Sequence, residues 1–243
     1  MVNSDGMKKK IEISLKDLLE AGCHFGHQSR RWHPKMQPYL YGAREGVHIF
    51  DLVKTKEGLE TAAVFAQALT ANGGKIVFVG SKRQAREIIK EEAKKAGMPY
   101  VAERWLGGII TNWEQVKKSV DKLKDLKVKK ESGELKKYTK KENLLIDREI
   151  IKLERFFGGL VDLTQVPEAV FIVDIKKETA AVQEAKIKEI PIIAIVDSNC
   201  DPALINYAIP ANDDAVGSIK FIVEKIAEAA KEGRAQWQKS LPV

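Results

Sequence analysis

Apolar residues recur along this chain in two rhythms, and the rhythms alternate. Over residues 56–71, Leu59, Ala62, Ala63, Ala66 and Leu69 keep helical spacing, and Asn72-Gly73-Gly74 ends the run. Residues 75–80 form a compact apolar strand. Residues 84–96 predict an amphipathic helix with Ala85, Ile88, Ile89 and Ala96 on one face and Gly97 at its end, followed by a short strand over 100–103. The alternation returns past residue 165, with a strand at 169–175, a helix at 178–188, and strands at 190–197 and 207–209. A last helix over 215–233 carries Val216, Ile219, Val223, Ile226 and Ala230 as its stripe. Near-continuous apolar strands separated by helices predict a parallel sheet covered on both faces.

The two remaining stretches differ. At the start, Ser14 and Asp17 read as a capping box for a short helix over 15–21, stopped by Gly22. Residues 23–46 are rich in Gly, Pro, His and Arg and read as loop with short extended pieces, before a strand over 47–52. In the middle, residues 114–130 are highly charged with a thin stripe of Val116, Val120, Leu123 and Leu126. Ser132-Gly133 marks a reversal, and Ile146, Ile150, Leu153 and Phe157 stripe a second helix over 143–157 that Gly158-Gly159 ends. A narrow stripe on each of two antiparallel helices suits a coiled hairpin. The expected organisation is therefore one discontinuous α/β domain, 8–110 with 159–234, an inserted helical hairpin at 111–158, and flexible tails at 1–7 and 235–243.

Charge sharpens this picture. Residues 117–141 hold 11 Lys against 4 Asp or Glu, a net of +7, equal to the formal excess of the whole chain of 243 residues. A solvated helical face accounts for some lysine, but so lopsided an arm suits phosphate neutralisation with counterion release. No apolar stretch approaches the ~18–20 residues of a membrane helix. Residues 1–10 are polar and lack an apolar signal core. Two cysteines, Cys23 and Cys200, make no disulfide framework, so a reducing cytoplasm is expected.

Candidate chemistry comes next. After the strand ending at Gly80 stands Ser81-Lys82-Arg83-Gln84-Ala85-Arg86, which has neither dinucleotide-fingerprint glycines nor a Walker loop. Lys82, Arg83 and Arg86 at a helix start suit a phosphate, an RNA phosphate included, though solubilising charge explains them equally. Cys23-His24 with His27 and His33 lacks zinc spacing, and no metal is expected. His24, Asp197 and Asp201 are the residues one would use. Asp197, Asp201, Asp213 and Asp214 follow the last strands, where turns and helix capping explain them. No base or nucleophile accompanies them, so no catalytic residue and no cofactor is expected. Arg30-Arg31-Trp32-His33-Pro34-Lys35 interleaves cations with a ring: Arg30, Arg31 and Lys35 suit phosphate, and Trp32 suits a structural anchor.

Several runs in order resemble a known family. Leu18-Leu19-Glu20-Ala21-Gly22-Cys23-His24-Phe25-Gly26-His27, Pro34-Lys35-Met36 and Tyr41-Gly42-Ala43-Arg44 are similar to the N-terminal signature of the bacterial S-two ribosomal proteins. Arg104-Trp105-Leu106-Gly107-Gly108 with Thr111-Asn112-Trp113 resembles the family's most specific motif. Residues 167–191, with Asp174, Glu184 and Ile190-Pro191, resemble its second signature, and 197–202 and 209–215 continue the likeness over about residues 8–235. Cys23 departs from it, standing where a larger aliphatic is usual.

The resemblance implies a doubly wound, mainly parallel sheet, flavodoxin-like or Rossmann-like, with an inserted two-helix coiled-coil hairpin. It implies a non-enzymatic constituent of the small ribosomal subunit. Its partners would be small-subunit ribosomal RNA, neighbouring ribosomal proteins and the large S-one protein where a genome has one, with no membrane and no small-molecule substrate. On this reading RNA meets Arg104, Asn112, Lys117, Lys118, Lys122 and Lys124 besides the cations above. Trp105, Gly107 and Gly108 shape the entry to the hairpin. Two other readings compete: an enzyme with a nucleotide in the sheet crevice, and an adaptor binding DNA or membrane surfaces through any polyanion.

Overall fold

The computed structural model describes residues 13–240. In chain order the elements are α1 (Leu15–Glu20), β1 (Phe25–Gln28), β2 (Leu40–Arg44), β3 (Val47–Phe50), α2 (Leu52–Ala71), β4 (Ile76–Val79), α3 (Arg86–Ala96) and β5 (Tyr100–Val101). There follow α4 (Trp113–Glu131), α5 (Lys140–Phe157), β6 (Ala169–Val173), α6 (Thr179–Ile187), β7 (Ile192–Val196), β8 (Tyr207–Pro210) and α7 (Val216–Ser240).

Five strands make the parallel sheet, in the order β5-β4-β6-β7-β8. The order reverses between β4 and β6, as in doubly wound folds of the 2-1-3-4-5 type. Alternate strand residues sort into two cores. Ile76, Phe78, Phe171, Ile193, Ile195 and Ile209 meet Leu59 and Ala66 of α2, Ile89 of α3 and Ile219 and Ile226 of α7. Val77, Val79, Val170, Ile172, Ala194 and Val196 meet Ala181 and Val182 of α6 together with Trp105, Ile110, Trp113 and Val116. The root of α4 is thus part of the second core. Each large apolar side chain buried this way contributes about 1.5–3 kcal/mol.

Both margins of the sheet are covered. On β8 the Thr55 hydroxyl of α2 donates to the Pro210 carbonyl at 2.6 Å, and Gly58 lies against the Ala208 carbonyl. On β5, Gly159 lies against the Tyr100 carbonyl.

Three findings depart from the pattern reading. Residues 25–50 contain a second sheet, antiparallel, in the order β1-β3-β2. Its strands are short and bulged, so no clean alternation marks them. Ser14 accepts from the Lys16 amide, and Asp17 does not complete a box. The capping box stands instead at Thr139 and Glu142. Finally, α7 continues to Ser240, because Gly233 sits inside it against Thr70 and does not end it. Residues 235–240 of the expected C-terminal tail are therefore helical, while 1–7 and 241–243 lie outside the described residues.

Candidate nucleic-acid interface

The entry to α4 is fixed by one acid. Glu184, buried on α6, accepts from Trp105 Nε1 (3.0 Å), the amides of Gly108 (2.8 Å), Ile110 (3.0 Å) and Thr111 (3.0 Å), and the Thr111 hydroxyl (3.0 Å). Burial pushes its carboxyl up, but the bonds from Trp105, Thr111, Gly108 and Ile110 outweigh that and hold it below the ordinary carboxylate range. Trp105 is 5% exposed, packed in the second core as expected. Gly108 adopts φ +98°, which demands glycine. A side chain at Gly107 would meet nothing within 4 Å, so the obstruction expected there is absent.

The crevice at the carboxyl ends of β4 and β6, where doubly wound folds hold ligands, is filled by the chain itself. Lys82 is 13% exposed and reaches Asp174 (3.3 Å), Asp213 (2.7 Å) and Asp214 (2.6 Å). That corrects its expected place on a surface phosphate. Ser81 donates through its amide and hydroxyl to the buried Glu178. Burial raises Asp213 to about 7, Asp197 and Asp174 add to the shift, and Lys82 opposes it. His27 Nδ1 lies 2.9 Å from Asp197, and that bond raises the imidazole above its ordinary value.

The aspartates are not the expected caps of α7. Asn212 Oδ1 takes the amides of Asp214 and Ala215, leaving Asp213 free to face Lys82. Asp201 does cap its turn, accepting from the Ala203 amide at 2.9 Å. The three weak metal candidates are not brought together: Asp197 turns to His27, Asp201 to Lys35 at 2.7 Å, and buried His24 Nδ1 has no partner. His27, Asp213 and Asp214 do converge, but the ammonium of Lys82 already sits on both aspartates. Burial also lifts the Cys23 thiol to about 11 and that of Cys200 to about 12, which disfavours thiolate ligation.

The lysines of α4 divide into two sets. Lys122 pairs with Glu149, Lys127 with Glu154, and Lys130 with Asp147 at 2.7 Å, so acids of α5 meet α4 antiparallel. Over 111–158 the balance is 14 Lys or Arg against 9 Asp or Glu, net +5, less lopsided than the 117–141 window. Among the described residues, Lys117, Lys118 and Lys124 are exposed with no carboxylate within 4 Å. Val116, Val120 and Leu123 are buried, whereas no residue of α5 is. Asn112 precedes α4 without a side-chain capping bond.

The remaining cations are scattered over several elements. Arg104 and Arg83 are exposed; Arg86 is half-buried, donating to the Ser81 carbonyl and lying 3.4 Å from Glu103, which also holds Arg155. Arg30 and Arg31 are exposed beside β1, with Arg30 Nε donating to Gln28. Trp32 is not a core anchor: it is 37% exposed with its ring 5.2 Å from His48. Glu184 and Lys82 are the residues that pattern reading missed in role. The available signal was a lone charge on an apolar element.

No helix of the described residues is long and apolar enough to cross a membrane. A family model described as ribosomal protein S2 matches residues 18–233. The chain is 50% identical over 222 residues, 91% of its length and 83% of the relative's, to the small ribosomal subunit protein uS2 of Coprothermobacter proteolyticus. It is 47% identical over 231 residues to the uS2 of Solidesulfovibrio magneticus, covering 95% and 90% of the two chains. It is 50% identical over 222 residues to that of Synechocystis sp., covering 91% and 82%.

Proposed function

The chain belongs to the ribosomal protein S2 family, and from that membership we propose how it serves as a structural, non-enzymatic constituent of the small ribosomal subunit. The observation that carries the assignment is the match across residues 18–233 with relatives 47–50% identical over nearly the whole chain. The subunit setting brings association with ribosomal RNA and neighbouring small-subunit proteins.

On our reading, residues 111–158 act as an inserted arm on one α/β body, and Lys117, Lys118 and Lys124 contact RNA phosphates, with Asn112 and Arg104 at the arm's root. Arg30, Arg31 and Arg83 extend the contact over the body. Lys122, Lys35 and Arg86 take a lesser part, because each already faces a carboxylate. The large S-one protein is a proposed neighbour, and the cytoplasm the proposed compartment. Support for a structural crevice comes from the Lys82 cluster, which occupies the ground a nucleotide would need.

The test is sedimentation of tagged protein through a sucrose gradient at moderate salt. Co-migration with small subunits, weakened by replacing Lys117, Lys118 and Lys124 with Gln, is expected. Migration as free protein would overturn the reading.

A further inference from the structure

The small antiparallel sheet has a face that the proposed contacts leave unused. On β3, Phe50 and His48 point one way, and Phe50 is buried in the second core. Val47 and Ile49 therefore point the other way, outward. Cross-strand partners extend them into two rows. Phe25, Ile49 and Gly42 form one; Gln28, Val47 and Arg44 form the other. Phe25 is 49% exposed, and a side chain added at Gly42 would meet nothing within 4 Å, so this row is bare. Tyr41 is the extra residue of a bulge between the pairs Leu40–Phe50 and Gly42–Ile49, and it is 83% exposed. A bulge that turns a large aromatic into solvent has no packing explanation.

The rim is cationic. Arg30 lies along Gln28, exposed Arg31 follows it, and Arg44 ends the second row, with Glu45 the acid beside it. Aromatic rings on a flat sheet with guanidinium groups at the margin match the chemistry of an unpaired nucleobase: rings and Arg planes stack on the base, and the charges meet its phosphates. An aliphatic protein surface would gain little from three Arg at the edge, and duplex RNA presents no base face to stack.

We propose that the outer face of the β1-β3-β2 sheet is a stacking platform for an unpaired RNA base, with Phe25 and Tyr41 as its rings and Arg30, Arg31 and Arg44 as its phosphate contacts. The proposal rests on the RNA-binding reading above and adds the form of RNA bound: single-stranded here, apart from the duplex phosphates suited to the arm. Stacking releases few counterions, so its loss should lower affinity without flattening salt dependence.

The experiment measures binding of the full chain to a labelled unstructured RNA strand and to a labelled RNA hairpin across a salt series. Tyr41→Ala with Phe25→Leu should weaken the strand about ten-fold or more, leave the hairpin within about two-fold, and keep the salt slope. Tyr41→Ala alone removes a side chain with almost no packing, so a loss there is not a folding defect. Lys118→Gln should do the reverse. Unchanged strand affinity in both variants, or equal loss on strand and hairpin, would overturn the platform. So would lost subunit co-sedimentation with strand affinity intact, which would put a protein neighbour on this face. If wild-type protein itself fails to co-sediment, the ribosomal RNA reading falls first, and the strand measurement still decides the platform.

Discussion

The indole N–H of Trp105 donates to a carboxylate oxygen of Glu184, 79 positions along the chain, at 3.0 Å. The same carboxylate collects three backbone amides and a hydroxyl from residues 108–111, so five donors of the α4 entry converge on one acid of α6. A buried carboxylate with that many donors is satisfied only as the anion. Its contribution to stability is present above the ordinary carboxylate range and is lost as pH falls below it.

Removing either partner should therefore unfasten the arm as well as weaken the body. Trp105→Ala is expected to cost about 3–5 kcal/mol, and Glu184→Ala about 3 kcal/mol or more, because it leaves buried amides without acceptors. Trp105→Phe keeps the ring and loses the charged hydrogen bond, a cost of about 1.5–3 kcal/mol. Urea melts of the three variants check the ranking. Full stability in Trp105→Ala with reduced RNA affinity would put the indole on the RNA surface.

Lys82 supplies the cation for Asp174, Asp213 and Asp214. Lys82→Met should destabilise by about 3–5 kcal/mol near neutrality, since it strands buried carboxylates. The sign of its pH dependence follows from Asp213. A folded-state carboxyl raised to about 7 binds protons more tightly than the unfolded chain, so its contribution is largest at low pH and falls as pH rises through that range. Without Lys82 the shift grows. The deficit of the variant should be smaller at pH 5 than at pH 8 by calorimetry; an equal deficit at both would exclude the ion cluster as its cause.

Among the arm lysines, pairing predicts a ranking. Lys117, Lys118 and Lys124 are free of carboxylates, whereas Lys122 meets Glu149. Replacing one free lysine by Gln should lower the slope of log K against log salt by about 0.7–0.9. Lys122→Gln should change it less, because that ammonium is already partly neutralised. Four equal slopes would remove the distinction.

The paired glycines at the α4 entry should respond differently. Gly108→Ala forces φ +98° on a residue with a Cβ and should cost about 1–3 kcal/mol. Gly107→Ala enters open space and should be nearly neutral. Thermal melts of both decide it.

Pattern reading reached these elements where one physical signal dominated. The strands of the parallel sheet are buried on both faces and spell continuous apolar runs, and the stripes of α2, α4, α5 and α7 sit close to where the helices lie. It failed where several signals compete over few residues. The strands over 25–50 were hidden by bulges and by Gly, Pro and His. Asp213 and Asp214 resemble caps in sequence, yet Asn212 is the cap, because only the fold brings Lys82 to the aspartates. Glu184 looks like any solvated helix acid until the 105–111 loop folds over it. The sequence also ranks Lys122 with Lys118, since the acids that neutralise one and not the other come from α5.

A ribosomal constituent exists for a time outside its particle, and the covered margins of the parallel sheet bear on that interval. A bare outer strand is a template on which a second copy can add its own strand, and successive additions build fibres. Here the β8 carbonyls of Ala208 and Pro210 face α2, Pro210 has no amide hydrogen to offer, and the backbone at Gly159 closes over Tyr100 on the far side. The unassembled pool of this chain is thereby shielded from polymerisation through its main sheet, leaving it available to be taken up by the growing subunit.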